Sequence, residues 1–164
     1  MNGPPIEGAP QVTVERYDAT RCSGNPEIDK RLCGQREVYA VFIEGKLAHI
    51  VSLTREILLP QQFGFDKNAP VMDDGMTMPE FRGTRLQPLV RRAVAADVIA
   101  RGLHDKVYGT VAPHDIPSQK GNERAGMKRA GRVQGYRVLG IMMFKKVLGP
   151  ESWPLKQLKR EGKA

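Results

Sequence analysis

The chain has 164 residues, of which 40% are hydrophobic, and its formal net charge is +8. This length and composition predict one globular domain with its own apolar core. No apolar run approaches the roughly 18 residues that a membrane-spanning helix needs, so we expect no membrane contact. The opening letters MNGPPIEGAP lack the basic start and apolar stretch of a signal peptide. We therefore expect a flexible tail over residues 1–11 and a cytoplasmic protein.

The two cysteines, Cys22 and Cys33, have no second pair and no nearby histidine. This count predicts no metal site and leaves a single disulfide open.

The charge is unevenly distributed along the chain. Residues 1–118 hold 14 Lys/Arg and 15 Asp/Glu, whereas residues 119–164 hold 12 Lys/Arg and 3 Asp/Glu. Such an asymmetry is typical of a face that meets phosphates, nucleic acid or an acidic partner, and equally of a solvated basic surface.

The first clear elements are two strands. VYAVFI (Val38 to Ile43) and LAHIVSL (Leu47 to Leu53) are rich in β-branched residues and are separated by Glu44-Gly45-Lys46, which predicts a hairpin. The segment before them is less patterned, although QVTVERYDA is compatible with a strand. After a loop that ends at Pro70, VMDDGMTM (Val71 to Met78) predicts a further strand with a bulge or close backbone approach at Gly75.

A helix is predicted next, from the apolar steps between Leu86 and Leu103, with Pro88 in the first turn and Gly102 at the C-terminal cap. Arg91, Arg92, Asp97 and Arg101 fall on its more polar side. KVYGTVA (Lys106 to Ala112) then predicts a short buried strand. A strand, a helix and a strand in this order predict a βαβ crossover with parallel strands.

A shorter helix is predicted over Ile116 to Arg124, with Asp115 as its N-cap and Gly126 as its stop. Arg132 to Val147 predicts one bent strand or two, and Pro150 to Lys163 a terminal helix. The expected organisation is a single domain over residues 12–148, followed by a basic C-terminal helix or tail over 149–164.

The stretch PEFRGTRLQP (Pro79 to Pro88) joins the predicted strand to the first helix. A helix start leaves unpaired N–H groups and a positive dipole end, and Arg82 and Arg85 add charge there. This corner is therefore predicted to bind an anion such as phosphate.

The run DGMTMPEFRGTRLQPLV resembles the cofactor-binding motif of the GCN5-related N-acetyltransferases. In that motif an acidic residue is followed, a few positions later, by Pro-Glu-Tyr-Arg-Gly-x-Gly-x-Gly. A second run, DIPSQKGNERAGM, resembles the later motif of that family, Asn-x-x-Ser/Ala followed by Tyr-Glu-Lys-x-Gly-Phe. The matching positions of that later motif are Asp115, Ser118, Asn122, Glu123, Arg124, Gly126 and Met127. The resemblance covers roughly Val38 to Val147.

The resemblance implies an α/β (α+β) fold with a mixed, mostly antiparallel sheet whose fourth and fifth strands splay apart around acetyl-coenzyme A or another acyl-coenzyme A. It further implies that backbone groups of Met76, Thr77 and Met78 face the pantetheine arm and the thioester oxygen. The pyrophosphate would lie on the main chain of Arg82, Gly83, Thr84, Arg85, Leu86 and Gln87, with Asp115, Ser118 and Asn122 across the cleft.

Four positions depart from the family pattern. Arg85 and Gln87 stand where the family has glycines, Asp115 replaces an asparagine, and Asn122 replaces the tyrosine that protonates the departing thiolate. The thiolate would then leave unaided, or take its proton from water or from Tyr136.

Transfer of an acyl group to an amine needs a base to take the proton of the amine. Asp74 lies where the family places an acidic residue on the fourth strand, and strand alternation puts Asp73 on the opposite face. His49, in an otherwise apolar strand, is the alternative base, or else a hydrogen-bonded core residue.

The predicted function is transfer of an acetyl or other acyl group from coenzyme A to the amine of a small molecule or protein. The acceptor site is either partly open or completed by the second subunit of a homodimer. Two alternatives remain at this point: a catalytically inactive binding module with the same fold, and a small basic nucleic-acid-binding protein. Against the latter, no aromatic residues interleave with the basic run, so we expect no sequence-specific nucleic-acid binding.

Overall fold

A computed structural model describes residues 12–20, 23–32, 36–55, 66, 68–138 and 141–148, and of the residues from 133 onward it describes the backbone. The predicted tail, both cysteines, and the predicted C-terminal helix lie outside the described residues. No helix in the described part of the chain is long and apolar enough to cross a membrane.

The described strands form a sheet in the order β1-β2-β3-β4-β5 and a separate hairpin, β6-β7. The strand bounds are β1 Val14–Tyr17, β2 Arg36–Ile43, β3 Lys46–Thr54, β4 Val71–Thr77, β5 Tyr108–Gly109, β6 Arg132–Val138 and β7 Ile141–Leu148. The first four strands of the sheet pair antiparallel, and β4 pairs with β5 in parallel. The predicted fold class, the β2–β3 hairpin and the parallel crossover are all confirmed.

The helices are α1 Pro26–Asp29, α2 Leu86–Ala100 and α3 Ile116–Arg124, with a 3-10 turn at Pro79–Phe81 before α2. The bounds of α3 are those that the sequence predicts: the Asp115 side chain caps it by accepting from the Ser118 N–H, and Gly126 follows with φ of 85°. The predicted strand over Lys106 to Ala112 is wrong in length, since β5 pairs over two residues alone. The prediction that this strand is buried is also wrong, because Tyr108 and Gly109 are only partly buried and residues 110–112 are exposed.

The two faces of the sheet have separate cores. On one face, α2 packs Leu86, Val90, Val94 and Val98 against side chains of β2, β3 and β4. On the other, Ile28 of α1 joins Tyr17, Val38, Ala40 and Ile50. We call these the α2 face and the α1 face. Because β2 and β3 are covered on both, their sequences are nearly continuous apolar runs.

The C-terminal end of α2 is joined to the sheet by a group of ion pairs. Arg101 donates to Glu37 at 2.6 and 2.9 Å and to Asp97 at 3.0 Å, and the Tyr39 hydroxyl donates to Asp97 at 2.7 Å. We call Glu37, Tyr39, Asp97 and Arg101 the Glu37 cluster. The Glu37 cluster fixes the C-terminal end of α2, whereas the N-terminal end of this helix belongs to the candidate functional site.

Candidate functional site

The parallel strands β4 and β5 separate soon after they meet. Val71 pairs with Tyr108 and Met72 with Gly109, and the Thr110 N–H donates to the Met72 carbonyl at 3.3 Å. Beyond that bond no described strand pairs with the outer edge of β4. We call the space along this edge the β4–β5 gap, closed at Gly109 and open toward Thr77. Unpaired strand edges of this kind bind extended ligands through main-chain hydrogen bonds.

The start of α2 lies at the open end of the gap. Gly83 and Arg85 both have left-handed backbone conformations, with φ of 83° and 62°. Arg85 is the N-cap residue and forms no side-chain cap hydrogen bond. The main-chain N–H groups of the first turn therefore have no side-chain acceptor at the N-cap, and they carry the positive end of the helix dipole. This is the cradle, residues 82–87, and its geometry suits a pyrophosphate.

The left-handed conformation of Arg85 occurs at one of the two positions where the resembling family has glycine. An arginine adopts it at a cost of about 1 to 2 kcal/mol. The chain thus keeps the backbone path of a glycine-rich turn while adding a cationic side chain.

Arg82 connects the cradle to the gap. Its Nε donates to the Thr77 carbonyl at 3.4 Å, and its side chain is exposed. Thr84 closes the turn by donating from Oγ1 to the Phe81 carbonyl at 2.5 Å. Both contacts hold the main chain between β4 and α2 in one path.

Gln87 contributes its side chain to helix packing. Its Nε2 donates to the Ser118 carbonyl of α3 at 3.4 Å, and a Cβ on Gly121 would lie 2.5 Å from its Oε1. The absence of a side chain at Gly121 therefore permits the close approach of α3 to α2. Gln87 keeps a main-chain N–H for an anion, while Asp115 and Ser118 are engaged with each other through the α3 cap.

Asn122, one residue after Gly121, is partly buried and its Oδ1 has no hydrogen-bond partner among the described residues. A buried amide oxygen without a donor is costly, and such an oxygen is often completed by a ligand or water.

The last residues of β4 present different groups to the gap. The Met78 N–H donates to the Ala48 carbonyl of β3 at 3.0 Å, so it is already engaged. Because main-chain groups alternate along a strand, those of Thr77 face the gap. The side chains of Met76 and Met78 pack against the core of the α1 face.

Asp74 lies in a β-bulge of β4, where it and Gly75 together oppose Val51 of β3. Its φ is 47°, and its carboxylate pairs with Arg31 at 2.9 Å on the α1 face. The Asp74 side chain is 51% exposed, whereas that of Arg31 is 8% exposed. Arg31 also donates to Glu27 at 2.7 Å, whereas its Nε, the atom nearest Asp74, lacks the geometry of a hydrogen bond, so the Asp74 contact is an ion pair alone.

Arg31 was not identified from the sequence, because its segment has no clear period and the pairing is between distant residues. The neighbouring Asp73 accepts from Thr54 at 3.2 Å. Burial, and to a smaller extent the charge of Asp74, raises the pKa of Asp73. The bulge interrupts the simple alternation that would place the two carboxylates on opposite faces of the sheet.

His49 is 2% exposed and lies opposite Thr77 on the adjacent strand. Its Nδ1 is 2.8 Å from the Thr77 Oγ1, and its Nε2 has no hydrogen-bond partner among the described residues. Burial, reinforced by the positive charge of Arg91, lowers its pKa to about 4. His49 is thus a neutral, enclosed imidazole, whereas Asp74 is an accessible carboxylate.

The third predicted catalytic residue, Tyr136, pairs with Phe144 in the β6–β7 hairpin, and its side chain lies outside what the structure describes. Within the described ranges, no three His, Cys, Asp or Glu side chains come together as metal ligands.

The prediction that Arg91 lies on the polar side of α2 is wrong. Arg91 is 5% exposed, and its guanidinium lies at the closed end of the gap, between Gly75 and Gly109. The apolar period could not show this, because the residue faces the splayed edge of the sheet and not the solvent.

Solved structures with a similar fold exist for this chain, although no sequence match was found. No protein-family model and no curated protein sequence matches the chain. Two solved structures of the aminoglycoside N-acetyltransferase AAC(6')-Iy match it with a TM-score of 0.59 each. One, in complex with the bisubstrate analogue CoA-S-monomethyl-acetylneamine, is 12% identical over 79% of this chain and 99% of that chain. The other, in complex with CoA, is 14% identical over 77% and 98%. AAC(6')-Iy belongs to the GCN5-related N-acetyltransferase superfamily, and the fold implied by the sequence resemblance is confirmed.

Proposed function

We propose that this protein is an acyltransferase that moves an acyl group from coenzyme A to an amine. The observation that carries the proposal is the β4–β5 gap, which opens directly onto a helix start without a side-chain cap. An unpaired strand edge and an anion-binding cradle in line suit a long ligand with a pyrophosphate near one end and an amide-bearing arm. The fold adds support, because its structural neighbours are coenzyme A-dependent N-acetyltransferases.

The residues present fit an acyl-coenzyme A. The main-chain N–H groups of the cradle, with the side chain of Arg82, would hold the pyrophosphate. The outer edge of β4 at Thr77 would hydrogen-bond the pantetheine arm. The amide of Asn122, with its unpartnered oxygen, would meet the ligand from the α3 side.

Asp74 is the proposed base. The amine nitrogen forms a bond to the thioester carbonyl carbon as the carbon–sulfur bond breaks, and the amine proton passes to the Asp74 carboxylate directly or through water. The departing thiolate takes one proton from Tyr136 or water. A positioned base of this kind contributes roughly 10²- to 10⁴-fold to the rate.

The two candidate bases differ in their access to solvent. Asp74 is half exposed on the α1 face and lies 2.9 Å from Arg31, whereas His49 is enclosed with a pKa of about 4. A general base must come within hydrogen-bond reach of the amine, so access to solvent favours Asp74 over the enclosed His49. The acceptor amine is therefore proposed to approach from the α1 face.

The first test is binding. We expect coenzyme A and acetyl-coenzyme A to raise the melting temperature by about 5 °C or more at a hundredfold excess over the dissociation constant. 3′-Phosphoadenosine 5′-diphosphate keeps the pyrophosphate and serves as the matched control that lacks the pantetheine arm. If isothermal titration shows no heat of binding up to millimolar coenzyme A, the acyltransferase proposal is wrong and a catalytically inactive module with the same fold is favoured.

The second test separates the base from the cradle. Asp74→Asn keeps the side-chain volume and should lower kcat by about 10²-fold or more while the dissociation constant of acetyl-coenzyme A stays nearly constant. Arg82→Ala should do the reverse and weaken the cofactor, because a charge-assisted contact is lost. Full turnover in Asp74→Asn would move the base to His49 or to solvent.

A further inference from the structure

The closed end of the β4–β5 gap contains a buried cation. The Arg91 guanidinium approaches both strands at their glycines: a Cβ on Gly109 would lie 2.8 Å from its Nη1, and a Cβ on Gly75 would lie 3.9 Å from its Nη2. The missing side chain at Gly109 therefore leaves the space that the guanidinium fills, whereas a Cβ on Gly75 would make an ordinary van der Waals contact with it. With any side chain at position 109, the guanidinium would have to move.

This cation has no anionic partner among the described residues. Its Nε and Nη1 are buried without a hydrogen-bond partner, and burial is what lowers its pKa. The acidic residues outside the described ranges are Glu7, Glu56, Glu151 and Glu161. A buried guanidinium without a counter-charge destabilises the folded state, and its five donors fit a carboxylate in bidentate geometry.

The position of Arg91 indicates which part of a ligand would reach it. Arg91 lies five residues after Leu86, so it is about 7.5 Å along α2 from the cradle. An acyl-coenzyme A held by its pyrophosphate at the open end extends its acyl group toward the closed end. The acceptor approaches from the other side, because Asp74 faces the α1 face whereas Arg91 lies under α2.

We propose that Arg91 recognises a carboxylate on the acyl group, so that the preferred donor is a coenzyme A thioester of a short dicarboxylic acid, such as succinyl-coenzyme A. This inference rests on the proposed acyltransferase function and names its donor class. The transferred group keeps its distal carboxylate: the amine forms an amide with the proximal carbonyl carbon, the carbon–sulfur bond breaks, and free coenzyme A leaves with one proton. The acceptor thereby exchanges a cationic amine for an anionic acyl amide.

The test compares matched thioesters on the full chain. Malonyl-, succinyl- and glutaryl-coenzyme A are titrated beside butyryl- and acetyl-coenzyme A by calorimetry. We expect at least one dicarboxylic thioester to bind about tenfold or more tightly than butyryl-coenzyme A, as a charge-assisted bidentate pair allows. In Arg91→Met that preference should disappear, while the affinity for butyryl-coenzyme A changes less than about threefold.

Two further variants guard against a misfolded Arg91→Met. Arg92→Met removes a charge from the same helix at a residue whose Nη2 donates to the Arg124 carbonyl at 2.9 Å, and it should keep the preference. Gly109→Ala keeps the charge but displaces the guanidinium, and it should reduce the preference. Equal affinity for succinyl- and butyryl-coenzyme A in the wild type overturns the inference and leaves the acyltransferase proposal standing. If no thioester binds and free coenzyme A does not bind either, both this inference and the acyltransferase proposal are overturned.

Discussion

Arg91, the sixth residue of helix α2, and Arg101, its C-cap residue, have opposite surroundings. Arg101, at the C-terminal end, is 27% exposed in its side chain and reaches the carboxylates of Glu37 and Asp97 at 3.0 Å or less. Arg91, nearer the N-terminal end, is more deeply buried and contacts no carboxylate among the described residues. The more deeply buried of the two charges is thus the one without a carboxylate partner in the part of the chain that the structure describes.

The pairing in the Glu37 cluster shows how this fold stabilises a buried charge. Burial by itself would raise the pKa of Glu37, but hydrogen bonds from Arg101 and Arg55 outweigh burial and hold that pKa at about 2. Burial and the neighbouring Asp97 raise the pKa of Tyr39. In the Glu37 cluster, each buried charged group therefore has an oppositely charged or hydrogen-bonding partner within the chain. An unpaired arginine beside an open strand edge is better explained by a ligand that arrives later.

The largest expected effect breaks the paired end. Glu37→Gln should lower the free energy of unfolding by about 3 kcal/mol, because Arg101 and Arg55 lose a buried partner yet remain partly hydrated. Urea denaturation measures the change, with Arg16→Gln as a control that removes a long contact to Glu37 from outside the cluster, at 3.5 Å. Coenzyme A affinity should stay constant, and a large loss of affinity would mean that the two ends of α2 are coupled.

The second prediction concerns acid stability at the open end. His49 is held neutral with a pKa of about 4 against an ordinary value of 6.5, so the unfolded chain binds a proton that the native chain refuses between these values. The contribution of neutral His49 to the free energy of unfolding should be fully present above about pH 6.5. This contribution should fall by about 2 kcal/mol between pH 7 and pH 5. Denaturation at the two pH values in wild type and His49→Gln isolates this slope. Glu37 does not interfere, because its own contribution is lost below about pH 4.5.

The third prediction contrasts Arg91 directly with Glu37. Arg91→Met should raise the free energy of unfolding of the unliganded protein by about 1 kcal/mol, because an unpaired buried charge is replaced by an apolar side chain. The same urea experiment decides the sign. A decrease comparable to that of Glu37→Gln would reveal a partner for Arg91 within the chain.

The smallest expected effect concerns the cradle. Arg85→Gly should stabilise the protein by about 0.5 kcal/mol, because relief of the left-handed strain exceeds the added entropy of the unfolded chain. Coenzyme A should bind more weakly, since the variant loses a cation beside the pyrophosphate. The Arg85→Asn variant tests the strain with a residue that tolerates this conformation. Unchanged stability in both would mean that the left-handed turn stores little strain.

Local patterns predicted much of the fold. The bounds of α3, its Asp115 cap, the β2–β3 hairpin and the placement of Pro88 in the first turn of α2 each depend on a few neighbouring residues, and each is confirmed. The short helix α1 was missed, because four residues form too short a period to detect, although Asn25 caps it by accepting from the Glu27 N–H. The length of β5 was wrong, because a strand ends where its neighbour diverges.

The sequence by itself determined the phosphate-binding corner and the resemblance of its motifs, because a strand, a turn and a helix start are contiguous in the chain. The role of each cradle residue stays a prediction, as does that of Asp74. Only the tertiary structure decided that Arg31 pairs with Asp74, that Gln87 packs against Gly121, and that Arg91 lies between Gly75 and Gly109. Each of these contacts joins residues 16 or more positions apart, and burial of a charge depends on which distant groups surround it. Helical periodicity assigns a residue to a side of its helix, but only packing decides whether that side meets water or a gap in the sheet.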